Sequence, residues 1–599
     1  MNKILFEKTL DSLKNIAANY KGFGENIYLV GGCVRDLQLG LTPKDIDLCI
    51  DYPDGVNLFM EYLQNNHSDI CSGFNTFPRY GTSRFSLLVC GENVDIECVI
   101  PRIETYNQGP RKPDSVSQAS IKEDAFRRDF CCNALYINLL SGKLLDPTGY
   151  GIEDCKKKVL RTPLNPKETF IDDPLRMLRA VRFSVCKGFE ILPEVMEKIT
   201  DYSVFYLLSI ERINDEFTKI LLSDRPDYGI GILHDTGLLK HICSLLDKSF
   251  DFDQNSKYHH LTLGKHQLEV LKLVSEKRSS KNDIALRLAA LFHDIGKLKN
   301  HGVKKDGNFS YHGHELDSAE IAETILKRLK YPVKVISDVK FLIQNHMCIK
   351  QFYDYSRDEY TGSSKVTRKI LRTLGDYYRR EMILIHADNM AHHPVYCMPG
   401  QVKSFKRKVA EVIESPIMNN VTNSSFTAPI TGKDIMAEFK VLQGNLVGEI
   451  KSIMQDYYDT NPMTREELIS AFRSEFSNKW IYAVLDSGGK IKTSLTQPEF
   501  DDSGNLRYNP NQLLPSGDDI SRIGTVLSGD IYKLSAIKYP KLYRRLVRNE
   551  KGLKLLGEIG EKIDEIARIP EFSWLKIELE NNDLSMTIRW NDDTLTGIL

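Results

Sequence analysis

Near residue 150 the hydrophobic pattern of this chain changes period, and that break constrains the fold more than any other feature. Before it, short apolar runs such as "IYLVGG", "RFSLLVC", "NVDIECVI" and "NALYINLL" are interspersed with helical stretches. Beyond it, segments such as "PLRMLRAVRFSV", "IALRLAALFHDIGKL" and "DSAEIAETILKRL" carry apolar residues at helical spacing. A chain that begins with strands and then turns to helices is expected to be α+β, with a sheet-containing head followed by a mainly helical remainder. The 599 residues exceed what one core organises. The expected divisions are 1–150, 151–250, 251–400, 401–480 and 481–599. Polar runs near 251 ("DFDQNSK") and 419 ("NNVTNSSFTAP") are read as joints, and residues from about 484 as a long loop before a final mixed segment.

Charge and cysteine content narrow the class. A net charge of -1 argues against a globally basic nucleic-acid coat but leaves room for a local basic cleft. The twelve cysteines are scattered without CxxC spacing, which fits reduced thiols rather than a zinc site or a disulfide frame. The N-terminal stretch "MNKILFEKTLDSLKNIAANY" is amphipathic and contains acids, unlike a signal peptide, and no run is long enough to span a bilayer. A cytoplasmic protein with no membrane partner is expected. The sequence leaves the oligomeric state open.

The stretch "PKDIDLCID", residues 43–51, sets Asp45 and Asp47 on one parity and Ile46, Leu48 and Ile50 on the other. On a strand the apolar parity is buried while the carboxylates share the opposite face. Upstream, "YLVGGCVRDLQLG" runs an apolar strand through Gly31-Gly32 into a helix, which lets backbone amides approach phosphate without an intervening Cβ. Carboxylates at i and i+2 suit a pair of divalent ions. A second alternating strand, "NVDIECVI", offers Asp95 or Glu97 to complete the set, and Asp95 is taken as the third catalytic acid.

These residues resemble a family. "LVGGCVRD", "KDIDL", "RRDFCCNALYINLLSGKLLDPTGYGIEDCKKKVLR" and "DDPLRMLRAVRF" follow one another as in class II tRNA nucleotidyltransferases and poly(A) polymerases. The resemblance implies a polymerase-β-like nucleotidyltransferase head with Asp45 and Asp47 holding Mg²⁺, then helical neck, body and tail regions. It implies CCA addition to tRNA from CTP and ATP. Nucleotide contacts are expected from Gly31, Gly32, Arg35, Arg127, Arg128, Asp129, Asn133, Asp173, Arg176, Arg179 and Arg182. Within that set, Arg127 and Arg128 would meet phosphate or sugar, and Asp129 the ribose hydroxyls. Asn133 would hold the nearby backbone, and Asp173 with Arg176 would read the edge of cytosine or adenine. Asp172 stands where the family has glutamate. The loop "TYNQGPRKPDSV" keeps Arg111 and Pro113 but has Gly109 where an acid is usual. A poly(A) polymerase would share every catalytic residue, although the basic segment usual after its GG strand is missing here.

Further along, "KHQLEVLKLV", "LFHDIGK", "SYHGHELDSAE", "QNHM" and "IHADNM" place His and Asp at recurrent positions in helical context. Such donors suit borderline transition metals. The set resembles the HD phosphohydrolase domain. That resemblance implies His266, His293, Asp294 and Asp388 on one metal such as Ni²⁺, Co²⁺ or Mn²⁺, and His314 and His346 on a second metal or on phosphate. Lys297 would meet substrate phosphate, and the substrates would be phosphates or 2′,3′-cyclic phosphates on RNA ends. A rival reading is an RNA-binding HD phosphohydrolase with an inactive head. "PITGKDIMAEFKVLQGNLVGEI" resembles the tail of HD-bearing members, with Asn445 where proline is usual. The basic, tyrosine-containing stretch 538–556 is read as a solvated helix face rather than an RNA contact.

Overall fold

The computed structural model describes residues 1–77, 81–105, 115–200, 205, 208–299, 301–305, 307–413, 427–439 and 443–476, and eight short strands between 481 and 594. The chain forms two compact units: Met1–Cys348 with Tyr377–Pro399, and Ile349–Asp376 with Gly400–Leu599. The loop carrying Gly109, Arg111 and Pro113 and the stretch 538–556 lie outside the described residues, as does the joint expected near 419.

The first unit opens with strands β1 (Ile27–Val30), β2 (Ile46–Ile50), β3 (Cys71–Phe77), β4 (Thr82–Val89) and β5 (Glu92–Val99). A separate hairpin of β6 (Arg102–Thr105) and β7 (Ser115–Gln118) follows, then β8 (Tyr136–Asn138) and β9 (Leu144–Leu145). Seven of them form one sheet in the order β3-β4-β5-β2-β1-β8-β9. Its neighbours run antiparallel except β2 and β5, which are parallel. The alternation in "DIDLCI" is realised: Ile46, Leu48 and Ile50 are buried with Phe59 and Leu63 of helix Gly55–Asn66 and Leu13 and Ile16 of helix Lys3–Asn19. The opposite face is closed at one end by Val30, Cys49, Ala125, Ala134 and Tyr136, leaving Asp47 at the open end. All twelve cysteines are free thiols.

From residue 150 to 476 the described backbone is helical apart from two-residue ladders such as Val159–Leu160 beside Glu190–Ile191. Asp173 starts helix Leu175–Lys187 by accepting from the Leu175 amide at 3.1 Å, and Gly188, with φ 70°, ends it. The polar run near 251, read as a joint, lies within this unit and contributes the buried Gln254.

In the second unit, helices Ser364–Leu374 and Asn445–Thr460 meet at the fully buried Asp459. Its carboxylate accepts from Arg372 and Gln455, while Arg368 donates to the carbonyls of Asp459 and Thr460. Past 480 the expected long loop is interrupted by a sheet in which Ile481–Leu485 lies between Ile491–Ser494 and Ile531–Leu534, with Gly524–Ser528 beyond. β-Rich runs flanking Gly488-Gly489 carried that signal. No described helix is long and apolar enough to cross a membrane.

Candidate active sites

Strand β2 delivers Asp47 to the open sheet face, and Asp45 occupies the exposed position just before the strand. Parallel pairing sets Glu97 of β5 level with Asp47. Burial, then Glu97 and Asp45, push the Asp47 carboxyl up to about 6 against the pull of Arg128. Carboxylates that crowd one another in this way are relieved by a divalent cation, so the acids present fit one. Glu97, rather than the expected Asp95, is the acid that the register sets level with Asp47. Asp95 is cross-strand from Ser86, accepts its hydroxyl at 2.6 Å and pairs with Arg84; these two partners hold its carboxyl below the ordinary range.

Gly31 has φ 70° and ψ -131°, a conformation open to glycine. A Cβ there would stand 3.3 Å from Arg128 Nη1 and 3.9 Å from Asp47 Oδ2, so the Gly31 backbone passes close to the acid and a guanidinium. Arg127 and Arg128 are both anchored by the fully buried Asp124, at 2.7 and 2.8 Å. Burial opposes the Asp124 charge, but Arg128, Arg127 and the Tyr136 hydroxyl outweigh it and hold the carboxyl down at about 2. Asp124 was missed in the sequence, although its i,i+3 and i,i+4 spacing to the two arginines was readable.

Several residues expected to contact nucleotide have partners within the protein. Arg35 is buried, donating to Asn133 Oδ1 at 2.7 Å and to Asp36. Asp129 Oδ1 accepts from the Phe130 amide and Asn133, and its Oδ2 accepts from Arg179 at 2.7 and 2.8 Å. Against burial, Arg179 and Asn133 hold this carboxyl at about 2, and its pair with Arg179 ties it to helix Leu175–Lys187. Arg176 does not face Asp173: its guanidinium donates to the carbonyls of Thr169 and Arg127. Asp173 pairs with Arg212 at 2.8 Å, and Arg182 pairs with the buried Glu216 at 2.5 Å. Arg212 and Glu216, one turn apart in "ERINDEF", were not singled out in the sequence.

In the helical part of the same unit, His266, His293, Asp294 and Asp388 offer ligand atoms all within 4.8 Å of one another, and Asp294, His314 and His346 form a second such group. The expected set therefore converges, with Asp294 shared: its Oδ2 stands 3.4 Å from His266 and His293 Nε2, and its Oδ1 3.0 Å from His314 Nε2. Each ring is turned by a backbone carbonyl at Nδ1, from Ala391, Ala290, Tyr311 and Ile343 in turn. Carbonyls only accept, so Nδ1 carries the proton and Nε2 presents a lone pair inward. His293 and His346 Nε2 are buried without a hydrogen-bond partner, the condition a metal would satisfy. Lys297 reaches Asp294 Oδ2 at 2.6 Å and Gln254 Oε1 at 2.9 Å, and stands 3.3 Å from His259 Nε2. Gln254 and His259 had no recognisable signal in the sequence.

A carboxylate-bearing mixed sheet joined to a helical His/Asp centre defines a nucleotidyltransferase-type head followed by an HD-type metal cluster. The Poly A polymerase head domain family matches residues 27–161, the family described as a probable RNA and SrmB-binding site of polymerase A matches 188–249, and the HD domain family 263–380. A multifunctional CCA protein of Azoarcus is 30% identical over 314 residues, 51% of this chain and 70% of that protein. A tRNA nucleotidyltransferase of Schizosaccharomyces pombe is 30% identical over 266 residues, 41% of this chain, and a multifunctional CCA protein of Xanthomonas campestris 32% over 283 residues, 45% of this chain. The chain spans 54% and 63% of the lengths of those last two relatives. The crystal structure of the Bacillus stearothermophilus CCA-adding enzyme with CTP shares the fold at TM-score 0.52 and 20% identity, over 80% of this chain and all of that one. The chain belongs to the class II tRNA nucleotidyltransferase and poly(A) polymerase family, in a form that carries an HD domain.

Proposed function

We propose that this protein adds CCA to tRNA 3′ ends from CTP and ATP without a nucleic-acid template, and that its HD centre is a metal-dependent phosphohydrolase. The observation that carries the first reading is the placement of Gly31, Asp47, Glu97 and Arg128 around the open end of one sheet face. Asp45, Asp47 and Glu97 would hold Mg²⁺; His266, His293, Asp294 and Asp388 would hold an ion such as Ni²⁺, Co²⁺ or Mn²⁺, with His314 and His346 on the far side of Asp294. When bound, such ions neutralise phosphate charge and lower the proton affinity of the attacking oxygen. The chain's own groups do the rest: Arg128, braced by Asp124, faces phosphate beside the Gly31 backbone, and Asp173 accepts from the exocyclic amine of cytosine or adenine. Its donor partner is Arg212, which already pairs with it, or Arg176, once freed from its carbonyls. In this reading residues 1–150 are the nucleotidyltransferase head, 151–250 the neck and body, 251–400 the HD region, 401–480 the tail and 481–599 an extension.

Incubating the protein with tRNA lacking its 3′ end and with each labelled nucleotide, separately and together, then sequencing the products, tests the first reading. CCA ends are expected; long adenylate runs would instead make it a poly(A) polymerase. Asp45→Ala and Asp47→Ala should both abolish incorporation, and near-normal activity in both would remove the metal assignment. Phosphatase and cyclic phosphodiesterase assays under Ni²⁺, Co²⁺ and Mn²⁺ test the second reading, which fails if no phosphorylated or cyclic-ended nucleotide is hydrolysed.

A further inference from the structure

Three side chains that the family resemblance sets at the nucleotide, Asp173 just before helix Leu175–Lys187 and Arg179 and Arg182 on it, share a neighbour. Helix Ile210–Leu221 meets Asp173 through Arg212 at 2.8 Å, Arg182 through Glu216 at 2.5 Å and Arg179 through the same glutamate at 3.9 Å. Where this helix sits therefore bears directly on where Asp173 and Arg182 point, and more weakly on Arg179, which Asp129 also holds. Its far end is gripped by Arg287, one of the largest fully buried side chains of the protein, at 1% exposure. Arg287 Nη1 donates to the carbonyls of Leu221 and Ser223, both at 2.6 Å, and Nε to the Ser280 carbonyl at 3.2 Å.

Among the described ion pairs none provides a carboxylate for Arg287, and burying an unpaired cation is costly where a methionine would fill the space. What hydrocarbon cannot do is take up the carbonyls at a helix C-terminus, which lack intrahelical partners and carry the negative end of the helix dipole. Arg287 lies on helix Ile284–Phe292, which runs directly into His293 and Asp294. Two further contacts hold the gripped helix from the same side: Thr218 Oγ1 stands 2.8 Å from the Tyr331 hydroxyl, and Glu211 pairs with Lys330. A twelve-residue helix is a rod of roughly 18 Å, so a shift at its clamped end is carried to Arg212 and Glu216.

We propose that Arg287 is a positioning residue for nucleotide selection, through which the HD region sets the alignment of Asp173, Arg179 and Arg182. This rests on the proposed nucleotidyltransferase activity. The test compares wild type, Arg287→Met, Arg287→Lys and Tyr331→Phe in single-nucleotide incorporation with CTP, ATP, UTP and GTP, after thermal melts establish which variants are folded. In Arg287→Met, KM for CTP should rise and discrimination against UTP fall by a factor of roughly two to thirty, with turnover at saturating CTP changed less. Arg287→Lys should recover part of the loss by giving the carbonyls a donor again. Tyr331→Phe, which removes one hydroxyl and keeps the ring, should shift both quantities in the same direction by less. Folded variants with unchanged KM and unchanged discrimination overturn the inference, and if Arg287→Met does not fold, Arg287→Lys and Tyr331→Phe decide it. A wild type that incorporates no nucleotide overturns the underlying reading, and the inference with it.

Discussion

Replacing Asp47 by asparagine should stabilise the metal-free head at neutral pH, even though it removes a group assigned to catalysis. The carboxyl is lifted from its ordinary 3.8 to about 6 by burial and by Glu97 and Asp45. A raised acid costs stability once the unfolded chain can ionise it: the cost is absent below about 3.8, grows as pH rises toward 6 and is complete above that. Taken in full, the shift is worth about 3 kcal/mol; since Asp47 is partly exposed, about 1 to 3 kcal/mol is expected. The three tryptophans all lie past residue 479 and none belongs to the head sequence, so a probe within that sequence is needed. Native-state hydrogen exchange of peptides spanning residues 27–50, in chelator, at pH 4.5 and 7.5, isolates it. Slower exchange of Asp47→Asn at pH 7.5, shrinking at pH 4.5, and a larger slowing by Mg²⁺ in wild type than in the variant are expected. Equal or faster exchange of the variant at pH 7.5 would refute the argument that the acids are crowded.

Asp294→Ala should remove the carboxylate shared by both histidine groups, so transition-metal content after dialysis, read by mass spectrometry, should fall to background while CTP incorporation persists. Arg176→Ala should lower the melting temperature, because the Thr169 and Arg127 carbonyls lose their donor at a cost of about 1 to 3 kcal/mol. If Arg212 is the base-reading donor, Arg212→Ala should relax discrimination against UTP more than Arg176→Ala, and the opposite order would assign the base edge to Arg176. Glu381 is fully buried with both oxygens unpartnered, and burial alone holds its carboxyl well above the ordinary range. Glu381→Met should therefore raise stability by about 1 to 3 kcal/mol, more at pH 8 than at pH 5 since the penalty grows as pH rises above the ordinary glutamate value; a lower melting temperature at pH 8 would count against it.

What could be read from the chain and what could not divide along physical lines. Period-two alternation placed Asp45 and Asp47 opposite a buried face because parity within one strand is a local property. The neighbour of Asp47 is not: Asp95 and Glu97 share a parity, and only the register of β2 against β5 selects Glu97. The convergence of the HD histidines and aspartates was legible because each sits in a short helical segment with a distinct residue type. The groups around them were not, since Gln254 lies in a polar run that looks like a joint and His259 has no periodic context. Helical spacing put Asp173 and Arg176 one turn apart, but it is silent on how the helix rolls against its neighbours, and the roll buries Arg176. Arg287 looks in sequence like one stray charge in "IALRLAALF", and its meaning appears only when a second helix ends against it.

The sheet order has a consequence for synthesis on the ribosome. Strand β1 lies between β2 and β8, pairing Tyr28 with Cys49 on one side and with Asn138 on the other. Translation at roughly 5 to 20 residues per second delays β8 behind β1 by about 5 to 20 seconds. A nascent chain that has just passed residue 100 already holds Asp45, Asp47 and Glu97, yet one side of β1 is an open, apolar edge of the kind that pairs with foreign strands. Fragments ending there should aggregate, and the head should become safe to release only when "ALYIN" has emerged and closed that edge.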